Sequence, residues 1–475
     1  MSPEPRRLHR AAIAVYALKA LREAALPLVV VFVVSGLGGG FDAGALERGA
    51  IYAGIGTAFA AVSGYIRWRT TTWWVTPEGI HHRSGLLRTK ETDIPLTRVQ
   101  ALDLEQGPVQ RLFGVRAVHV QTGGGGARGE IVLEAVGDDV VRELRELVGA
   151  PAPAPTADEA IERRLGTRAL LLAALTAGQL GVILPVLAGA AQLAQNAFGE
   201  NSQREAVRLI PDTAAEWVLA AAALLGAAWL VSVAGAVVAF AGFVVSRDRD
   251  RLRIRRGLVA RREATVPVAR VRAVEVVEGV LRRPLGLAAL RIEVIGHAKE
   301  PAAAQTLFPL LRRAEVRGFL DRLLPEMADD LDGLAPPPRR ALRRYVLPPA
   351  ALGLAAGAVA WAIAPVGPWA LALAVPAGAY GALRFRAAGW RLEGGRLAIR
   401  SLRIARSTVL APGLHRESHA IAQTVLQRRA HLADLEVEFG KQTGAAVRHL
   451  EAATAAELFA ALSAARPSAR EITGP

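Results

Sequence analysis

The sequence predicts a membrane protein of mixed α and β structure. Six transmembrane helices in three hairpins are expected to alternate with three β-barrel or sandwich domains, each closed by a C-terminal helix. Three observations predict this fold: six long apolar runs, arginines at matching ends of those runs, and self-similarity at constant shifts. The 475 residues are 52% hydrophobic and 21% charged, with a mean hydropathy of +0.27. This composition is too apolar for a disordered chain.

The apolar runs come in three close pairs. A transmembrane helix needs about 20 mostly apolar residues. The six predicted spans are Ala24–Phe41, Gly49–Ile66, Ala169–Ala194, Ala214–Ser246, Val346–Pro365 and Pro368–Leu383. A signal peptide is an alternative interpretation of the first run, because Arg6, Arg7 and Arg10 precede it. It is disfavoured because Lys19, Arg22 and Glu23 interrupt the apolar stretch and a second run follows at once.

Arginines mark the same side of every pair of spans. They are Arg67, Arg69, Arg163, Arg164, Arg168, Arg247, Arg249, Arg251, Arg339, Arg340, Arg343, Arg344, Arg384 and Arg386. The connections on the opposite side are poor in arginine. Because positively charged loops stay on the cytoplasmic side, both termini and all three soluble stretches are expected to be cytoplasmic.

The soluble stretches are copies of one another. Gly85, Pro95, Arg98 and Gly114 recur, at a constant shift of 172 residues, as Gly257, Pro267, Arg270 and Gly286. A third, more divergent copy lies at a shift of 317, where Pro95 falls on Pro412. In that copy Leu402 and His431 replace the two glycines. Two alignments without gaps indicate one unit, two spans plus a soluble domain, repeated three times.

The periodicity inside each copy is that of short strands. In the first copy Thr76-Pro77-Glu78-Gly79 predicts a turn between two strands. Pro108–Leu112 predicts a helical turn, and Asp138–Leu147 predicts an amphipathic helix that Asp138 or Asp139 could cap. The corresponding helices of the other copies are expected at Arg312–Leu324 and Ala455–Ala464.

These elements give a complete division of the chain. The predicted segments are 1–66 (N-terminal segment and first two spans), 67–150 (first domain), 151–162 (Pro/Ala linker), 163–246 (third and fourth spans), 247–330 (second domain), 331–342 (Pro-rich linker), 343–386 (fifth and sixth spans), 387–466 (third, degenerate domain) and 467–475 (tail).

Four motifs of the first copy resemble a known family. They are Trp-Trp-Val-Thr-Pro-Glu-Gly-Ile (73–80), Arg-Ser-Gly-Leu-Leu (83–87), Ile-Pro-Leu-Thr-Arg-Val-Gln (94–100) and Arg-Leu-Phe-Gly-Val (111–115). They are similar to the bacterial pleckstrin-homology (PH-like) family of membrane-flanked, YdbS/YdbT-like proteins, and the layout resembles the larger YdbT-like members with three repeats. The resemblance implies a PH-like barrel for each domain, a location in the bacterial plasma membrane and no catalytic residues.

The residues themselves give no support to an enzyme. The chain has no cysteine, which excludes thiolate chemistry and disulfides. Gly124-x-Gly126-x-x-Gly129 precedes a predicted strand, whereas a dinucleotide fingerprint must open a helix. His415 and His419 have a spacing that could place them on one helical face, but they lack the zinc-site pattern. No catalytic, cofactor-binding or metal-binding residue is therefore predicted.

The arginines are the residues for which the sequence suggests a binding function. The net charge is +15, and basic residues near an anionic leaflet gain about 1 kcal/mol each. Candidate headgroup-binding residues are Arg247, Arg249, Arg251, Arg253, Arg255 and Arg256, which follow the fourth span. Nucleic acid is not an expected partner, because no aromatic stacking residues accompany the arginines.

These observations predict a non-enzymatic protein. Its cytoplasmic PH-like domains would dock anionic lipid headgroups or protein partners, such as a smaller PH-like membrane protein or a second copy of the chain. The resemblance points to a role in envelope integrity or tolerance of membrane-active agents. The alternative is a transporter or export accessory protein with the domains as regulatory caps, although the predicted spans contain few of the polar groups that a substrate path requires.

Overall fold

A computed structural model of the chain describes residues 4–21, 43–86, 88–122, 131–148, 161–176, 213–294, 306–363, 367–412, 418–440 and 444–464. These residues belong to two compact units. The first contains Met1–Glu159, Arg164–Val244 and Arg253–Thr265. The second contains Ala160–Arg163, Val245–Leu252 and Val266–Pro475.

The α-helices vary from one turn to more than seven. They are α1 (Ala11–Leu21), α2 (Ala43–Thr70), α3 (Pro108–Leu112), α4 (Asp138–Leu147), α5 (Thr167–Leu175), α6 (Ala214–Phe240), α7 (Val316–Leu323), α8 (Leu342–Ile363), α9 (Ala374–Ala387), α10 (Val425–Arg429) and α11 (Ala452–Ala464).

The described residues include twenty strands. They are β1 (Arg6–Arg7), β2 (Thr72–Val75), β3 (Gly79–Ser84), β4 (Lys90–Pro95), β5 (Val99–Gln106), β6 (Arg116–Thr122), β7 (Ile131–Val136), β8 (Ile161–Arg164), β9 (Val244–Asp248), β10 (Arg251–Arg256), β11 (Arg261–Pro267), β12 (Val271–Glu278), β13 (Leu287–Val294), β14 (Thr306–Arg312), β15 (Gly389–Glu393), β16 (Arg396–Leu402), β17 (Arg406–Pro412), β18 (Ser418–Ala422), β19 (Leu432–Glu438) and β20 (Gly444–Glu451). We call β2–β7 with α3 and α4 repeat 1, β9–β14 with α7 repeat 2, and β15–β20 with α10 and α11 repeat 3.

Repeat 1 consists of two antiparallel half-sheets around one core. Strands β2, β3 and β4 form the first half, with β1 added beside β2, and β5, β6 and β7 form the second half. Trp73, Ile80 and Ile94 of the first half pack in the same core as Leu133 of the second and Leu144 of α4. The helix therefore closes the domain as predicted, within the bounds predicted for it.

The prediction that Asp138 or Asp139 caps α4 is wrong. Gly137 occupies the N-cap position and no side chain accepts a capping hydrogen bond there. The two aspartates lie in the first turn of the helix instead. At that position their negative charges interact favourably with the helix dipole.

The three repeats share irregular features at equivalent positions. The pairing of β6 with β7 is irregular between Arg116 and Val118, and the same irregularity occurs at the shifted positions in β13 and β19. Gly114 and Gly286 have φ values of +65° and +63°, and His431 replaces them at +51°. A shared bulge and a shared left-handed residue confirm the predicted repeat in all three copies.

Consecutive repeats are joined strand to strand. In the first unit, β5 of repeat 1 pairs antiparallel with β11 of repeat 2, and Leu104 lies opposite Glu263. In the second unit, β12 of repeat 2 pairs antiparallel with β17 of repeat 3, and Val276 lies opposite Thr408. These two pairs of residues occupy equivalent repeat positions, so the two junctions have the same register.

Ion pairs accompany both junctions. The Nη2 atom of Arg262 lies 3.1 Å from an Oε1 atom of Glu105 across the first junction. At the second, Arg406 forms a two-pronged pair with Glu278, whose side chain is 1% exposed, and its Nε donates to Oε2 at 2.6 Å. Removing one member of such a buried pair typically costs about 3–5 kcal/mol.

The prediction of six transmembrane helices is not supported. Within the described residues one helical segment, Arg339–Ile363, is long and apolar enough to cross a membrane. The predicted span Pro368–Leu383 is divided between a 3₁₀ segment, Pro368–Leu373, and α9, which has 14 residues. At about 1.5 Å per residue, α9 is too short to span a bilayer.

The other predicted spans have different outcomes. Ala24–Phe41 lies outside the described residues, as does most of Ala169–Ala194. Gly49–Ile66 lies within α2, which has 28 residues, and Ala214–Ser246 begins with α6, which has 27. Helix α6 ends at Phe240, and the rest of that predicted span enters β9, because a strand of repeat 2 begins at Val244.

The turn after β10 provides a test of the repeat geometry. Gly257 has a φ of +102°, and a Cβ atom there would lie 2.0 Å from the carbonyl oxygen of Ala260. We expect Gly257→Ala to destabilise the full chain by about 1–3 kcal/mol, measured as a lower thermal unfolding midpoint.

The matched control is Gly286→Asn. Gly286 also has a positive φ, but nothing lies within 4 Å of its added Cβ, and His431 adopts the same backbone region in repeat 3. We expect this variant to unfold near the wild-type midpoint. Equal midpoints for the two variants would contradict the steric explanation.

Candidate anion-binding site

The first strand junction forms a cavity of about 510 Å³. Its lining includes residues of the paired strands β5 and β11, of the turn that precedes β11, and of the segment that follows α6. Two backbone hydrogen bonds hold that turn against the end of α6, from Gly257 N to Ala241 O at 2.8 Å and from Leu258 N to Val238 O at 3.0 Å. The cavity therefore lies beside the C-terminal end of a long apolar helix.

Positive charge dominates the lining of this cavity. Its six arginines are Arg111, Arg116, Arg255, Arg256, Arg261 and Arg262. We call the space that they line the arginine cavity. A guanidinium group offers several N–H donors in a planar arrangement that matches phosphate and carboxylate oxygens. The volume is within the usual range for small-ligand sites, about 300–1,000 Å³.

Two carboxylates balance part of this charge. Glu105 lies 3.1 Å from Arg262. Glu263 lies 3.5 Å from Arg255 and 3.8 Å from Arg145, which is on α4. Arg116 pairs at 3.0 Å with Asp138, a carboxylate that does not line the cavity. Cations outnumber anions at the cavity, so its net charge is positive.

The crowding of arginines affects the pKa of Arg145. Burial lowers the pKa of this guanidinium, and the nearby charges of Arg253, Arg116 and Arg255 lower it further, while Glu263 acts in the opposite direction. Like charges are thus held close together at this junction. An anion entering the cavity would relieve their repulsion.

The six arginines that the sequence singled out do not form one cluster. Arg255 and Arg256 line the arginine cavity, and Arg253 lies on the same strand, β10. Arg247 lies on β9, where its Nη1 donates to the carbonyl oxygen of Leu323 at 2.8 Å. Arg249 lies in the following turn with a φ of +47°, and Arg251 begins β10. Side chains alternate along β10, where Leu252 and Ile254 are buried between arginines.

The other repeat-motif residues have local structural roles. Pro95 and Pro267 each precede a 3₁₀ turn, which ends at Arg98 in repeat 1 and at Arg270 in repeat 2. Burial lowers the pKa of Arg270. Pro412 ends β17, and the five residues after it lie outside the described residues. Gly85 adopts a φ of +112°, close to that of Gly257.

A second, smaller cavity of about 320 Å³ lies at the other junction. Its lining includes Arg291, Arg403, Arg448 and one carboxylate, Glu275. Leu402 and Arg403 occupy the repeat positions of Gly257 and Leu258, so the turn between the second and third strands borders both cavities. Strand pairing between repeats therefore produces a basic cavity twice.

The described residues contain no group of three or more His, Asp or Glu side chains that could hold a metal ion. The glycine motif at 124–129 and His415 lie outside the described residues. His419 lies on a strand, β18, and not on a helix, and its Nε2 lies 3.0 Å from the Oγ of Ser463.

Comparison with known proteins shows the family. A model of the bacterial PH domain matches residues 22–152, 169–327 and 346–466, so this chain belongs to the bacterial PH domain family, with three copies of the domain. It is 24% identical over 466 residues to the UPF0699 transmembrane protein YdbT of Bacillus subtilis (strain 168), covering 91% of this chain and 92% of that protein. No solved structure matches the chain.

These findings confirm the predicted resemblance and the threefold repeat. With the apolar helical segment Arg339–Ile363, they identify a membrane protein built on PH-like domains. Arg111, Arg116 and Arg145 were not candidate binding residues on sequence grounds. They come from α3, β6 and α4 of repeat 1, and only the pairing of β5 with β11 brings them close to the arginines of repeat 2.

The balance of charge in the arginine cavity can be tested through Glu263. The side chain of Glu263 is 15% exposed and lies between Arg145 and Arg255. We expect Glu263→Gln to destabilise the full chain at low ionic strength by about 1–3 kcal/mol, less than a fully buried pair. Inorganic phosphate should restore the thermal midpoint more than sodium chloride of equal ionic strength.

Glu91→Gln is the matched control. Glu91 pairs with Arg83 at 2.9 Å on the surface of repeat 1, and such exposed pairs contribute about 0–1 kcal/mol. If the two glutamines have the same effect, or if chloride and phosphate restore stability equally, the cavity is not a site of uncompensated positive charge.

Proposed function

We propose that the chain is a non-enzymatic membrane protein whose PH-like domains dock the phosphate groups of anionic lipid headgroups. The observation that carries this proposal is the arginine cavity, a space lined by six arginines together with residues that follow α6. The family match supports a docking module, since it describes a PH domain in each of three copies.

The charges of the arginine cavity favour this class of ligand. Each basic residue near an anionic leaflet contributes about 1 kcal/mol, and the effect decays within a Debye length of about 10 Å at 0.1 M salt. Arg262 and Arg255 are partly neutralised by Glu105 and Glu263. No ion pair is present for Arg261 within the described residues, and this exposed arginine of β11 is the one we expect to contact a headgroup first.

We propose a cytoplasmic position for the three domains. Arg67 and Arg69 lie in the last turn of α2, and Arg384 and Arg386 lie in the last turn of α9. Arginines at such helix ends favour the cytoplasmic side. A role in maintaining the cell envelope is compatible with this placement, because the domains would then face the inner leaflet of the plasma membrane.

Lipid docking can be measured with the purified full chain in detergent. We expect short-chain phosphatidylglycerol to raise the thermal unfolding midpoint of the wild type more than short-chain phosphatidylcholine does, because only a ligand that binds the folded state stabilises it. The double variant Arg255→Gln, Arg261→Gln should lose at least half of this difference. Without lipid it should unfold closer to the wild-type midpoint than Glu263→Gln does, because Glu263 keeps its pair with Arg145.

Arg142→Gln is the control for loss of positive charge. Arg142 is an exposed arginine of α4 that does not line the arginine cavity, so this variant should respond to phosphatidylglycerol as the wild type does. The proposal is wrong if both lipids stabilise equally, or if the double variant responds as the wild type does.

A further inference from the structure

The series of strand junctions leaves one unused edge at each end. Within the described residues, β4 of repeat 1 pairs with β3 alone, and β18 of repeat 3 pairs with β19 alone. Their counterparts elsewhere are paired between repeats. The equivalents of β4, which are β11 and β17, pair with the preceding repeat, and the equivalents of β18, which are β5 and β12, pair with the following repeat. The two ends therefore present the two complementary halves of one junction.

The exposed side chains of β18 agree with this interpretation. Ile421 occupies the repeat position of Leu104 and Val276, which are 4% and 0% exposed. Ile421 is 38% exposed, and Ala420 and Ala422 on either side of it are also exposed. An edge strand with exposed apolar residues and no formal charge is a ready template for another strand.

We propose that β18 of one chain pairs antiparallel with β4 of a second copy of this chain. The register follows from the two internal junctions, in which Leu104 faces Glu263 and Val276 faces Thr408. The equivalent positions at the ends are Ile421 and Glu91, which would face each other. The second copy is the occupant because its β4 is the repeat strand that the described junctions leave without a preceding repeat.

The chemistry of the two edges sets the strength of this contact. Lys90, Glu91 and Asp93 make β4 a charged edge, and they would meet no like charge on Ser418–Ala422. The contact would also lack the ion pairs of the internal junctions, such as that between Arg262 and Glu105. It is therefore weaker than the internal junctions and suited to reversible association between chains confined to one membrane.

The proposed contact is head-to-tail. Each chain would use β18 toward one neighbour and β4 toward the other, so the assembly grows into a ring if the rotation closes and into a filament if it does not. This inference rests on strand pairing and not on the arginine cavity. It can therefore fail or succeed independently of lipid docking.

Cysteine crosslinking tests the contact in the full chain, because the native sequence has no cysteine. Directly opposite residues of an antiparallel pair have Cα atoms about 4.5–5.5 Å apart, within the range for a disulfide. We expect a chain with Ile421→Cys and a differently tagged chain with Glu91→Cys, co-expressed in membranes, to form a mixed disulfide dimer on mild oxidation.

Lys90→Cys replaces Glu91→Cys in the matched control. Lys90 is exposed and adjacent, but successive side chains of a strand point to opposite faces, so the yield of mixed dimer should fall at least fivefold. Equal yields from the two pairs would overturn the proposal. So would a predominant crosslink of Ile421→Cys to a different protein, or within a single chain carrying both Ile421→Cys and Glu91→Cys.

A second measurement covers the case in which a cysteine variant folds poorly. Ile421→Lys places a charge on the edge of β18, and we expect the oligomers of the wild type to become monomers by light scattering in detergent. Leu426→Lys, at an exposed position of α10 that lies off the strand, should leave the oligomers unchanged. A wild-type chain that is monomeric in both detergent and crosslinked membranes contradicts the proposal.

Discussion

Unpaired backbone groups at the edges of small sheets are the constraint on which this structure depends. Each half-sheet of a repeat has three strands that belong to it, and its outer strand would expose a row of N–H and C=O groups. The chain satisfies these groups by pairing β5 with β11 and β12 with β17. Each repeat is a separate stretch of the sequence, but backbone hydrogen bonds join one of its strands to a strand of the repeat that follows.

This pairing also creates the basic cavities. The fourth strand of repeat 1, β5, pairs with the third strand of repeat 2, β11, and the turn before β11 borders the cavity beside this junction. Arginines from two repeats then line one cavity, and two glutamates neutralise part of their positive charge. A ligand site formed in this way depends on the junction, so docking and the connection between repeats are physically linked.

Local features of the fold could be predicted from the sequence with good accuracy. Helices α3 and α4 have the predicted bounds, because a proline at the first position and an amphipathic period are local signals. The repeat preserves glycine at positions 85, 114, 257 and 286, which indicates a backbone conformation that other residues rarely adopt. In the structure all four have positive φ. Sequence shifts of 172 and 317 residues showed which positions are equivalent.

Features that depend on distant contacts could not be predicted. Nothing local in Arg261-Arg262-Glu263 specifies that it pairs with Leu104–Gln106, more than 150 residues away. Arg111 and Arg116 could not be assigned to the arginine cavity for the same reason. The length of the apolar runs predicted too much transmembrane helix. It did not show that α6 ends before β9 begins, or that a 3₁₀ segment occupies the first part of Pro368–Leu383.

Consecutive repeats pair strand to strand in one register. The most direct test is a disulfide within the full chain between Glu105→Cys and Arg262→Cys, which replace side chains lying directly opposite each other across β5 and β11. Mass spectrometry of the oxidised protein should find these two cysteines linked within one chain, and the adjacent pair Glu105→Cys with Arg261→Cys largely unlinked. Equal linking of both pairs, or linking of neither, would contradict the account.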